Sequence, residues 1–85
     1  SVGGDETRSY SVKAVSILIH WNKKQRETER KAYDVYMFLK DLRCVTVNGK
    51  KILFTDMQME EPVDVGTDDN GIYEMVIEAD IYYEL

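Results

Sequence analysis

The chain is 85 residues long and carries a formal net charge of −5, with 44% hydrophobic and 32% charged residues. That length limits it to one small domain with a two-layer core, its apolar content argues against disorder, and its anionic balance disfavours nonspecific attachment to nucleic acid or anionic membrane. No apolar run approaches the ~20 residues needed to span a bilayer, and a lone cysteine, Cys44, has no internal disulfide partner, which fits a reducing cytosol.

Residues 1–9, Ser-Val-Gly-Gly-Asp-Glu-Thr-Arg-Ser, are small and polar without periodicity, and show neither an initiator Met nor a signal peptide. They are expected to be a flexible N-terminal segment and a truncated end, leaving residues 10–85 as a single α+β domain. Tyr10 to Trp21 then reads as a strand. Val15, Ile17, Ile19 and Trp21 fall on one face, and Val12, Ala14 and Leu18 share the other with His20. Apolar residues on both faces predict an interior strand, or one covered by a helix on one side and a partner on the other.

Asn22 is the expected helix start, with Gln25 three residues on completing a capping box. From Lys23 to Leu42 the period is helical. Thr28, Ala32, Val35, Leu39 and Leu42 form one stripe, with Tyr36 and Phe38 at its edges. The segment Lys23–Lys31 is almost wholly polar and is expected to project from the body, with Glu27 and Lys31 as a stabilising i,i+4 pair. Tyr33 and Met37 stack on the face opposite the stripe, the arrangement a subunit or partner contact would use.

Val45–Val47, Asn48-Gly49 and Lys51–Phe54 read as a hairpin, since Asn-Gly between β-rich runs supplies the two positive-φ residues of a tight turn. Its second arm is expected to continue to Glu60 and to end at Pro62, which cannot donate to a ladder. Pro62 to Gly71 then reads as a loop. The last strand, Ile72 to Leu85, has two opposite faces. Tyr73, Met75, Ile77, Ala79, Ile81 and Tyr83 form an apolar one. Glu74, Glu78, Asp80 and Glu84 form an acidic one, interrupted by Val76 and Tyr82. Such a face is ordinarily just solvated; the alternative is a wall that must repel what it faces. The predicted fold class is α+β: two layers, a mostly antiparallel sheet in the order β-α-β-β-β, with one helix packed across one face.

Little here supports catalysis. His20, the only histidine, sits among apolar neighbours and reads as structural, and Cys44 as a small buried hydrophobe. One Cys and one His are too few for a metal cluster. The Asp68–Gly71 stretch fails as a calcium loop, because the alignment puts Gly66 at its first position and Ile77 where a bidentate Glu is required. No catalytic, cofactor-binding or metal residues are assigned, and no cofactor or small-molecule substrate is expected.

Several local words, in order, resemble the tail-completion (tail terminator) or minor capsid proteins of long-tailed bacteriophages. Gly3-Gly4 precedes the strand Val15–His20; Ala32-Tyr-Asp-Val-Tyr-Met-Phe-Leu39 closes the helix. Pro62-Val-Asp-Val-Gly66 with Asp68, Asp69 and Gly71 resembles the family's Pro-Gly-Asp-Gly loop, and Tyr73–Tyr83 its aromatic-rich last strand. Members usually carry a further helical segment before the Gly-Gly, which is not present here. The resemblance implies a virion protein, assembled in the host cytoplasm, that forms a homo-oligomeric ring capping the tail tube and joining it to the head. Its partners would be its own copies and the tail-tube and head-connector proteins, with DNA passing through the lumen unbound and no membrane involved. On that reading the acidic face of Glu74, Glu78, Asp80 and Glu84 would line the lumen, and Tyr33 and Met37 would serve an interface. The alternative is a small non-enzymatic interaction module that binds one partner through a strand edge or the outward helix face.

Overall fold

A computed structural model describes residues 9–85, so the expectation for a flexible cut end over residues 1–8 lies outside the described residues. Along the chain come β1 (Tyr10–His20), α1 (Gln25–Lys40), β2 (Arg43–Val47), β3 (Lys50–Met57), β4 (Val63–Thr67) and β5 (Tyr73–Glu84). Every strand pairing is antiparallel, and α1 crosses one face of the sheet, as the α+β reading predicts.

The last strand is the middle of the sheet. In the order β1-β5-β3-β2, β5 takes β1 along one whole edge, from Tyr10 opposite Glu84 to His20 opposite Glu74. Its other edge is divided. β3 pairs with the C-terminal half, from Ile52 opposite Tyr83 to Met57 opposite Ala79, and β4 with the N-terminal half, from Val63 opposite Val76 to Thr67 opposite Tyr73. Between them Gln58–Pro62 leaves the line as a bulge against Ile77 and Glu78, tied by the Gln58 amide donating to the Glu78 carbonyl at 2.9 Å.

β4 corrects the expectation of a loop over Pro62 to Gly71. Pro62 is buried and precedes a strand instead of ending one, a position where its missing N–H costs no ladder bond. The strand is short, exposed at every residue and broken by a register shift between Asp64 and Gly66, where Gly66 takes φ +97° and donates its N–H to Asp64 Oδ1 at 2.8 Å. A wholly exposed strand leaves little burial pattern in its sequence.

The buried core is Ile19, Ala32, Tyr36, Met75 and Ile77, with Ile17, Val35, Leu39, Met57 and Met59 packed on it. The helical stripe and the odd face of β5 therefore meet as their periods predict. Tyr36 belongs to this core and donates its hydroxyl to the Met59 carbonyl at 2.6 Å, fastening the helix to the bulge. Phe38, placed by its period at the stripe's other edge, is 65% exposed.

Three local expectations change. α1 begins at Gln25, and its N-cap residue Lys24 has no side-chain cap. Asn22 instead accepts the Lys24 amide at 2.9 Å and the Thr28 hydroxyl at 3.3 Å and donates to Glu27 Oε1 at 2.8 Å, so Glu27 and Thr28, not Gln25, are its side-chain partners. β1 is an edge strand, covered by α1 on its Ile17–Ile19 side, with Leu18 and Val12 uncovered on the other. Cys44 is exposed and sits at φ +52°, so it is no buried hydrophobe. The Asn48-Gly49 turn forms as expected, with φ +50° and +78°.

Candidate functional surface

One face of the sheet carries α1, and among the described residues nothing covers the other. In an antiparallel ladder, residues directly opposite each other project to the same side. The register therefore builds the bare face from the even residues of β1 and β5 together with Phe54, Asp56 and Val63. Glu74, Glu78, Asp80 and Glu84 all lie on it, Glu78 and Glu84 exposed and Glu74 and Asp80 half-buried.

The face is banded. At one end Tyr82 stacks on Phe54 with ring centroids 4.3 Å apart and leans on Tyr10 at 5.7 Å. Next come Asp80, Asp56 and Glu78. Asp56 stands directly opposite Asp80, a like-charge pairing that costs a sheet a fraction of a kcal/mol, roughly 0.2–1. Then Val76 is flanked by Leu18 and Val63, which are 56% and 47% exposed. The apolar interruptions of the acidic row, Val76 and Tyr82, are thus the centres of two patches either side of the acidic band.

Asp56 was not singled out in the sequence. In the structure it alternates with buried Thr55 and half-buried Met57, and only the β3–β5 register sets it against Asp80.

The far end of the face is closed by an ion pair. His20 Nε2 lies 2.7 Å from Asp68 Oδ2, and Asp68 Oδ1 accepts from the amides of Asn70 and Ile72, both at 2.9 Å. The hydrogen bond that His20 donates to the Asp68 carboxylate raises the His20 pKa above its usual value, and the same bond, helped by the Ile72 amide, holds Asp68 below the usual carboxylate range. His20 is exposed on the open face, not set among apolar neighbours as its sequence context suggested, and its structural work is to tie β1 to the β4–β5 turn.

On the opposite side of the molecule, α1 turns Tyr33 and Met37 outward, 52% and 37% exposed, as their spacing predicts, and adds Phe38. Tyr33 stacks on Tyr36 with centroids 6.3 Å apart. Lys31 does not pair with Glu27; its Nζ sits 4.5 Å over the Trp21 ring, while Glu27 lies 3.7 Å from Lys24. At the C-terminal end of α1, Tyr36, Lys40, Arg43, Thr55, Met57 and Met59 line an open groove of about 550 Å³. The Thr55 hydroxyl is buried there without a hydrogen-bond partner, and Arg43 Nη1 donates to the Lys40 and Leu42 carbonyls at 3.0 and 2.7 Å. Among the described residues no group of three or more His, Cys, Asp or Glu side chains is placed to hold a metal ion.

A family model described as "Bacteriophage tail terminator protein" matches residues 2–85. The chain belongs to the bacteriophage tail terminator family. Curated proteins and solved structures give no match. Tail terminators are structural tail components and not enzymes, which makes this chain a virion protein that works with tail and head proteins. The family words lie on defined elements: Val15–His20 in β1, Ala32–Leu39 in α1, Pro62–Gly66 at the bulge and β4, and Tyr73–Tyr83 in β5. Gly3 and Gly4 fall outside the described residues.

Proposed function

We propose that this tail terminator assembles from copies of itself, in the host cytoplasm, into a ring that caps the tail tube and joins it to the head. The bare sheet face lines the lumen, with Glu74, Glu78, Asp80, Glu84 and Asp56 directed at the DNA path. The observation that carries this reading is the segregation of charge: the acidic residues of β5 and β3 share the sheet face that, among the described residues, nothing covers. Low-dielectric walls focus the field of such a band, and identical bands repeated around a channel add. Phosphate is repelled, so DNA slides past without being held by protein cations. Tyr33 and Met37, with Phe38, face away from the lumen and serve contacts with neighbouring subunits or with tail-tube and head-connector proteins. Residues 10–85 act as one α+β domain in this assembly, with no cofactor, membrane or small-molecule substrate.

Particles carrying Glu74→Lys, Glu78→Lys and Asp80→Lys together test the lumen role. They are expected to assemble and to eject DNA slowly or not at all. Ejection at the normal rate from assembled particles would remove these residues from the lumen.

A further inference from the structure

On its own side of the sheet α1 packs over Ile19, Met75 and Ile77, with Ile17 and Met57 beside them. The same side continues past this core toward the C-terminal end of β5. Residues opposite each other in an antiparallel ladder share a side, so the registers bring Lys13 of β1, Ile81 and Tyr83 of β5, Lys50 and Ile52 of β3 and Val47 of β2 together there. These six residues line an open hollow of about 240 Å³, and among the described residues nothing fills it.

The floor of the hollow is apolar and its rim is cationic. Ile52, Ile81 and Tyr83 are half-buried. Lys13 and Lys50 are exposed, on strands that flank β5 and so lie roughly 10 Å apart. Neither lysine has a carboxylate within ion-pair distance, and Lys50 Nζ hangs 5.6 Å over the Tyr83 ring. The chain has a net charge of −5, yet the acidic residues of β3 and β5 all lie on the opposite face.

We propose that this hollow seats one large apolar side chain of a partner protein, taken from a segment with a carboxylate on each side of that anchor. Three features select this occupant. The volume falls below the roughly 300–1,000 Å³ of small-molecule pockets and suits a single leucine-sized or phenylalanine-sized anchor. Two unpaired cations at opposite rims are complementary to two carboxylates and unfavourable to a basic segment. A copy of this chain has no such segment to offer. Its one acid–apolar–acid triplet is Glu78-Ala79-Asp80, and Ala79 is buried under the sheet's own core. The inference stands apart from the lumen reading, because the hollow lies on the helix side of the sheet.

NMR of the full chain with labelled methyl groups, titrated with the blocked peptide acetyl-Gly-Glu-Leu-Glu-Gly-amide, tests it. The methyls of Val47, Ile52 and Ile81 are expected to shift, with an affinity on the order of millimolar. Changing both glutamates of the peptide to glutamine, or its leucine to alanine, is expected to weaken binding about fivefold or more. Lys13→Gln with Lys50→Gln in the protein is expected to do the same, with circular dichroism unchanged. If that variant unfolds, the glutamine peptide carries the charge test alone. Absence of methyl shifts with the leucine peptide would overturn the proposal, and equal affinity for the glutamine peptide would remove the acidic partner. Tighter binding of dodecanoate, or of a short DNA duplex, with the same dependence on the two lysines would overturn it in favour of an amphiphile or a nucleic acid. Ile81 shifts that move with the concentration of the chain alone would assign the hollow to a second copy. Nuclear Overhauser contacts from Val2 to Ile81 in the free chain would assign it to the chain's own first residues, and either result would overturn the partner.

Discussion

Single residues divide the two faces of β5. Ile77 is fully buried and Glu78 beside it is exposed. Ile77→Ala is expected to cost about 2–5 kcal/mol, through lost transfer energy and the cavity left under α1, and Glu78→Ala well under about 1; urea denaturation measures both, and equal losses would reverse the assignment of faces. The His20–Asp68 pair adds a pH dependence. His20 is raised by Asp68, so its contribution is complete below the ordinary histidine value of about 6.5 and is lost as pH rises through the raised one. Asp68 is lowered by His20, so its contribution is present above the ordinary carboxylate value and is lost as pH falls through the depressed one. The pair therefore supports the β4–β5 turn most between roughly pH 4 and 6.5, with an amplitude that salt reduces because both groups are exposed. Thermal melts across that range, native against His20→Ala, are expected to converge as pH rises above the His20 titration seen by NMR.

Elements with strong periods were legible in the sequence; those defined by their neighbours were not. The α1 stripe and the alternation of β5 located their own buried faces, because a 3.6 or 2 residue repeat reports burial directly. β4 was invisible for the opposite reason: all of it is exposed, and what makes it a strand is the half-edge of β5 left free where β3 bulges out. The place of β1 at the sheet's edge, and of Asp56 opposite Asp80, depend on strand order, which alternation within a strand does not encode. The bulge itself hangs on Tyr36. Tyr36→Phe leaves the Met59 carbonyl without that donor and is expected to cost about 1 kcal/mol, with faster amide exchange confined to Gln58–Pro62; exchange unchanged there would show that the bulge holds itself. On the outer side of α1, Tyr33→Ser with Met37→Ser is expected to leave the fold intact and weaken association in light scattering. Loss of folding would assign them to the core, and unchanged association would take them out of any interface.

At the scale of the whole molecule the chain is a slab, 52 × 23 × 22 Å, with a Cα radius of gyration of 16.0 Å against about 12 Å for a compact domain of this length. Long β5, paired from end to end, sets the long axis, and α1 covers one side of the sheet. A two-layer slab with a banded acidic face on one side and Tyr33, Met37 and Phe38 on the other is suited to a larger assembly, where each side meets a different surroundings. The four acidic positions read from the last strand lie together on that face, but which neighbour or channel they meet is a property of the assembly, and a single sequence holds no direct signal for it. The decisive measurement is a cryo-electron reconstruction of the assembled protein at the head-proximal end of the tail. A ring is expected, with Asp56, Glu74, Glu78, Asp80 and Glu84 directed at the channel and α1 on its outer side. A reconstruction with this face buried under the Lys23–Lys31 segment of a neighbouring copy, or with no ring, would contradict it.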